Sequence, residues 1–283
     1  MDIILHSYTF RDRPLEEAFQ AAHDFGYDGL ELSRVHFDET RLEHELPEAV
    51  RLGARYDVAV TCVDFAGDLI HEDADIVEQS TALIEQNIAI CAAHDVPLMN
   101  GYVGVLMGEP EEFSNNGSAR ATDAHYERAA AALRRLGDAA GKHGLRLALE
   151  IHMNTIHDTI ASIRRLLDMC ASNNVVATPD PGNMFATKAE DCDPAALDLL
   201  INRIGYFHFK NCRKTDGACD FSVALEEGEL DMLPYLNKLN DFGYNYPVCI
   251  EHVGAGDPRT LAQTDLAYFR GLLGHGQPPK EKS

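Results

Sequence analysis

The sequence predicts a single-domain α/β protein folded as a closed (β/α)8 TIM barrel. Three observations carry this expectation. Short apolar, β-rich runs alternate strictly with longer amphipathic runs from end to end. The alternation yields eight strand–helix pairs, evenly spaced. The 283-residue length is near the roughly 250 residues usual for such a barrel.

The elements follow in order. Ile3–Tyr8 opens the chain as an apolar strand, and Leu15–Phe25 is the first amphipathic helix. Phe25-Gly26-Tyr27-Asp28-Gly29 closes that helix, because glycine accepts the left-handed conformation a helix end needs. Strand Gly29–Ser33 leads to helix Glu39–Tyr56, strand Val58–Asp64 to helix Ile76–His94, and strand Leu98–Tyr102 to helix Ala124–His143. In that last helix Ala129, Ala132, Leu133, Leu136 and Ala140 form one apolar face at helical spacing. His143-Gly144 ends it, and strand Leu145–His152 precedes helix Thr159–Asn173. Strand Val175–Asp180 pairs with helix Pro194–Asn202, and strand Ile204–Lys210 with helix Met232–Phe242. Phe242-Gly243-Tyr244 is a third glycine turn; strand Pro247–His252 and helix Thr260–Leu273 complete the set. Such alternation implies an all-parallel sheet with right-handed crossovers, and eight even repeats favour its closure. No Pro/Ser-rich linker divides the chain, so the barrel is expected over residues 1–274, with a frayed tail at 275–283.

Two connections are longer than the rest, Val103–Asp123 and Asn211–Asp231. Both leave the carboxyl ends of strands, where barrel active sites lie, and are expected to wall or cover a pocket.

Composition narrows the partners. With 45% hydrophobic and 25% charged residues the chain reads as a soluble globular protein. No apolar run approaches the roughly 20 residues that span a bilayer. Met1-Asp2-Ile3-Ile4-Leu5-His6 lacks the basic start of a signal peptide, so a cytoplasmic location is expected. The seven cysteines are odd in number and form no CxxC, consistent with reduced thiols rather than a disulfide framework or zinc ribbon. A formal net charge of -22 disfavours nucleic acid and anionic membranes, and reads as a solvated acidic surface. Neither GxGxxG nor GxxxxGK[ST] occurs, so nothing points to a nucleotide. A homo-oligomer is compatible with the sequence.

The informative positions are polar residues at the far ends of apolar strands: Glu150, Asp180, His208 and Glu251, on successive strands. In a barrel these ends converge on one rim. Three carboxylates and an imidazole brought together suit one divalent cation such as Mn2+, Mg2+, Co2+ or Zn2+.

The segments Leu149-Glu150, Asp180-Pro181-Gly182-Asn183, His208-Phe209-Lys210-Asn211 and Ile250-Glu251 together resemble the xylose isomerase-like TIM-barrel family. So does Glu227-Gly228-Glu229-Leu230-Asp231 leading to Phe242-Gly243-Tyr244, and the likeness runs from His6-Ser7-Tyr8 to Glu251. The family includes ketose 3-epimerases, hydroxypyruvate isomerases, inosose dehydratases and the endonuclease IV branch. The resemblance implies that Glu150, Asp180, His208 and Glu251 ligate the metal, and that Glu150 and Glu251 also exchange protons with substrate. Where many epimerases carry a substrate-binding histidine stands Asn183, which can hydrogen-bond but cannot titrate. Arg213 lies near where some relatives bind substrate with an arginine.

His152 and Lys210 each follow a proposed ligand by two residues, so strand alternation turns them the same way. His152 reads as a further acid–base group or substrate ligand, or else as a hydrogen-bonded structural histidine. Lys210 reads as an oxyanion partner or the partner of a carboxylate. His6, Glu31 and Asn100 sit on early strands where polar groups can line a pocket floor. The expected activity is isomerisation or epimerisation of a sugar or keto-sugar by proton transfer through a metal-stabilised enediolate. Dehydration of a keto-sugar or keto-inositol is the alternative, ahead of a non-catalytic sugar-binding barrel or a DNA-repair endonuclease.

Overall fold

A computed structural model describes residues 1–108, 112–215 and 218–275. Eight parallel strands ring its centre: β1 (Ile3–His6), β2 (Gly29–Leu32), β3 (Val60–Gly67), β4 (Leu98–Val103), β5 (Arg146–Glu150), β6 (Val175–Thr178), β7 (His208–Phe209) and β10 (Val248–Ile250). They pair in the order β6-β5-β4-β3-β2-β1-β10-β7. The chain entering β7 completes the ring: Ile204 bridges Ala177, the Gly205 N–H donates to the Ala177 carbonyl at 3.1 Å, and the His208 N–H donates to the Pro179 carbonyl at 3.0 Å. The seventh strand is therefore shorter than the sequence predicts, with its pairing split into two pieces.

The outer layer is helical: α1 (Leu15–Phe25), α2 (Leu42–Arg55), α3 (Ala74–Ala93), α4 (Asp123–Lys142) and α5 (Ile160–Cys170), whereas α6 (Pro181–Thr187) sits at the carboxyl rim. A 3-10 helix over Pro194–Leu200 takes the next place in the layer, before α7 (Leu233–Asp241) and α8 (Pro258–His275). Inside the barrel, Ile4, Cys62, Leu98, Ala148, Val176, Tyr206 and Cys249 form one apolar cluster. Their outward neighbours along the strands, such as Ile3, Leu5, Val63 and Leu147, join a second, larger cluster with the buried helix faces. This inside–outside alternation is the period-two signature of strands with both faces covered. All seven cysteines are free thiols. No helix among the described residues is long and apolar enough to cross a membrane.

Other elements also depart from the sequence expectation. Pro194–Asn202, expected as an α-helix, is a 3-10 helix over Pro194–Leu200. Its two buried residues, Leu197 and Leu200, are three apart, the spacing that a three-residue turn stacks on one face. The unexpected helix is α6, directly after β6. The Asp180 side chain accepts the Asn183 N–H at 3.0 Å, and Pro181 occupies the first turn, where its missing N–H costs nothing. The Asn211–Asp231 connection also holds an antiparallel hairpin, β8 (Arg213–Thr215) and β9 (Ala218–Asp220). The C-terminal tail lies, from residue 276 on, outside the described residues.

Candidate active site

Glu150 is the last residue of β5, Glu251 follows β10, His208 begins β7, and Asp180 follows β6 as the cap of α6. One ligand atom from each of the four lies within 4.8 Å of the others, on the carboxyl rim. His208 Nδ1 is 3.3 Å from Glu251 Oε2, 3.8 Å from Glu150 Oε1 and 4.0 Å from Asp180 Oδ2. Asn183, on the first turn of α6, binds the set together: its Nδ2 donates to Glu150 Oε1 at 2.7 Å and to Asp180 Oδ2 at 3.0 Å.

Three carboxylates this close and this buried would repel strongly without positive charge. Lys210 supplies it, with Nζ 2.8 Å from Asp180 Oδ2, 2.9 Å from Glu251 Oε2 and 3.8 Å from Glu150 Oε1. Burial works against the ammonium, but Asp180, Glu251 and Glu150 outweigh it and raise its pKa. Burial pushes Asp180 up to about 6 and raises Glu150. Glu251 is held well below the usual carboxylate range: burial opposes this, but Lys210, His6 and His208 favour its charged form. The donor set is hard and oxygen-rich with one imidazole, a composition that fits Mg2+, Mn2+, Co2+ or Zn2+.

The cluster opens into a cavity of about 280 Å³. His152 lines it, stacked on Tyr102 with ring centroids 4.6 Å apart and planes at 24°. His152 Nδ1 is 3.0 Å from the Met153 carbonyl. A carbonyl can only accept, so Nδ1 carries the hydrogen and the neutral ring keeps its lone pair on Nε2. Burial lowers the His152 pKa and favours that neutral form.

His6, Asn183 and Lys210 also line the cavity. Asn100 sits below it, fully engaged: Nδ2 donates to Glu31 Oε1 at 3.0 Å, and Thr178 Oγ1 donates to Asn100 Oδ1 at 2.7 Å. Arg213 lies outside it on the exposed edge of β8 and hydrogen-bonds the Glu227 carbonyl. Of the long connections, Asn211–Asp231 contributes Phe221 to the wall, whereas Val105 of the other lines a neighbouring cavity. Sequence reasoning did not single out Arg34, Asp64, Tyr102 or Phe221, all of which line the cavity. Asp64 carries the same signal that marked Glu150, a carboxylate at the polar end of an apolar strand.

A family model described as "Xylose isomerase-like TIM barrel" matches residues 19–272. Among curated proteins, an inosose dehydratase of Lacticaseibacillus casei is 27% identical over 145 residues, covering 46% of this chain and 48% of the relative. The chain thus matches about half the length of that curated relative. Among solved structures, a D-allulose 3-epimerase from Methylomonas sp. superposes with a TM-score of 0.79 at 17% identity, covering 96% of this chain and 98% of that one. A xylose isomerase-like TIM barrel protein from Mycobacterium smegmatis, solved in complex with magnesium, superposes with a TM-score of 0.76 at 17% identity, covering 98% of each. At such identities the structural likeness speaks for the fold, while the family match spans nearly the whole barrel. The chain belongs to the xylose isomerase-like TIM-barrel family.

Proposed function

We propose that this protein is a divalent-metal-dependent enzyme that removes a proton next to the carbonyl of a sugar or keto-sugar. The observation that carries the reading is the convergence of Glu150, Asp180, His208 and Glu251 at the head of a cavity walled by His152 and Lys210. Those four residues would hold one ion, which supplies Lewis acidity at the substrate's carbonyl oxygen. The other chemistry belongs to the chain. Glu150 and Glu251 stand on strands separated around the ring by β6 and β7, so they reach a substrate from different directions. One can take a proton from carbon while the other delivers one, the arrangement isomerisation or epimerisation requires.

A second reading, dehydration, is favoured by His152 and Lys210. An elimination needs a base for the carbon-bound proton and a separate acid for the departing hydroxyl. The His152 Nε2 lone pair and the Lys210 ammonium are such a pair, and Asn183 adds no titrating group. The curated relative that is an inosose dehydratase supports this outcome, and the Methylomonas epimerase supports the first. Both outcomes share the first proton removal.

The test is metal analysis followed by a panel of ketoses and keto-inositols run in D2O. Activity should disappear on exhaustive chelation and return with one divalent ion. Solvent deuterium in an epimer or isomer supports the first outcome; loss of water from the product supports the second. Full turnover after complete chelation would remove the metal reading.

A further inference from the structure

Beneath the converging donors lies a buried polar set with no part in the proton chemistry. At its centre is Glu31 on β2, whose side chain is wholly buried. Glu31 Oε2 accepts the Tyr206 hydroxyl at 2.8 Å and faces His208 Nε2 at 3.0 Å. Glu31 Oε1 accepts Asn100 Nδ2 at 3.0 Å, with the Asn100 amide oriented by the Thr178 hydroxyl at 2.7 Å. These residues come from four different strand segments, and a layer usually given to apolar side chains in such barrels is polar here.

Every partner of Glu31 donates to it. A carboxylate oxygen only accepts, so in this contact His208 Nε2 carries a hydrogen, and the 3.2 Å approach of Asn100 Nδ2 to the same nitrogen is then one between two donors that share Glu31. Without an ion His208 Nδ1 also donates, to Glu251 Oε2 at 3.3 Å. A divalent ion among these carboxylates would displace that hydrogen and leave a neutral ring protonated on Nε2, with its lone pair on Nδ1, the atom that faces Glu251, Glu150 and Asp180. We infer that Glu31 is a positioning residue: it fixes the tautomer and angle of His208, and so aims Nδ1 at the divalent ion. This rests on the metal reading above. His6, Glu31 and His208 also bring ligand atoms within 4.8 Å of one another. Both Glu31 oxygens are already engaged by Tyr206, His208 and Asn100, which makes that triad the support of one ion site rather than a second site.

Glu31→Gln tests the role, because it keeps the shape but replaces one acceptor oxygen by a donor. Wild type and variant are stripped with chelator and titrated calorimetrically with Mn2+, Co2+ and Zn2+. Wild type should bind one ion per chain, and the variant should bind about 10–100-fold more weakly, the usual cost of losing such an outer partner. In Zn2+-loaded, 15N-histidine-labelled wild type, His208 should show a protonated Nε2 and a bare Nδ1. Equal affinity in a folded variant, or the opposite tautomer in wild type, overturns the role of Glu31 alone. Wild type that takes up none of the ions overturns the metal reading itself. Should the variant fail to fold, the wild-type tautomer still decides.

Discussion

At the scale of single residues, the site is a balance of buried charge. Glu150, Asp180 and Glu251 cannot stay ionised and close without cations, and Lys210, beside His208, supplies positive charge from the chain itself. Lys210→Met should therefore lower the stability of chelator-treated protein by about 3–5 kcal/mol, the cost of stripping a buried pair of one partner. A saturating divalent ion should narrow the gap in melting temperature between variant and wild type, because it restores positive charge among the same carboxylates. A gap unchanged by ion would show that Lys210 and the ion do not share those partners. The two glutamates separate binding from chemistry. Glu150→Gln and Glu251→Gln keep one ligating oxygen but remove the base, so turnover should fall by on the order of 10²–10⁴-fold. Metal content should fall less than turnover; near-normal turnover in both variants would end the two-glutamate mechanism.

At the scale of elements, the rim is held by cross-ties between the connections after β4 and β5. Val105 bridges Thr155, the Leu106 N–H donates to the Asn154 carbonyl at 2.8 Å, and the Ile156 N–H donates to the Gly104 carbonyl at 3.0 Å. These ties brace the segment that carries His152 against the one that carries Tyr102. Gly117, at φ +53°, lies where a Cβ would stand 2.0 Å from Asp158 Oδ2, so only glycine fits. The Ser118 N–H faces both Asp158 oxygens at 3.3 Å, yet burial raises the Asp158 pKa to about 6. Its folded pKa lies above the unfolded value of about 3.9, so its contribution is full below pH ~4 and is lost as pH rises through ~6. Asp158→Asn should consequently gain stability relative to wild type as pH goes from 4 to 6, read from denaturant midpoints. A difference that stays flat over that window would refute the buried-acid account.

The same elements show what the sequence makes legible. Glu150 and Glu251 could be read because each ends an apolar strand, and His152 because alternation turns it with Glu150. Residues that meet only through the fold could not. Glu31 and His208 are 177 positions apart, and nothing local marks them as partners. Helix α6 was hidden because Pro181-Gly182-Asn183 has turn chemistry; the Asp180 cap makes it helical. The Asn211–Asp231 connection reads as polar loop, but Asn211 staples it: its Nδ2 donates to the Leu225 and Leu230 carbonyls, each at 2.8 Å. Arg213 was placed by its distance from His208, and the hairpin carries it away from the cavity.

For the whole molecule, the dominant electrostatic fact is the net charge of -22. Two opposing effects follow from it. Surface ion pairs such as Arg135 with Glu78 and Glu85, at 2.8 and 2.6 Å, or Arg259 with Asp24 at 2.6 Å, attract and are weakened by salt. Each such exposed pair is worth about 0–1 kcal/mol, and their side chains already share the solvent. Against them stands the mutual repulsion of the excess carboxylates, 46 acidic to 24 basic residues, which acts over the entire surface and favours expansion. Raising ionic strength from about 0.1 to 1 M shortens the screening length from about 10 Å to about 3 Å, which removes most of that repulsion. The repulsion is the larger sum, because the 46 acidic residues far outnumber the 24 basic ones. The melting temperature should therefore rise with NaCl over this range. Chelator must be present throughout, so that no trace divalent ion at the rim contributes. Chloride is the anion to use, since sulfate would add its own exclusion effect. A melting temperature that falls or stays level would mean that the ion pairs outweigh the repulsion, and that the acidic excess is spread too thinly to strain the fold.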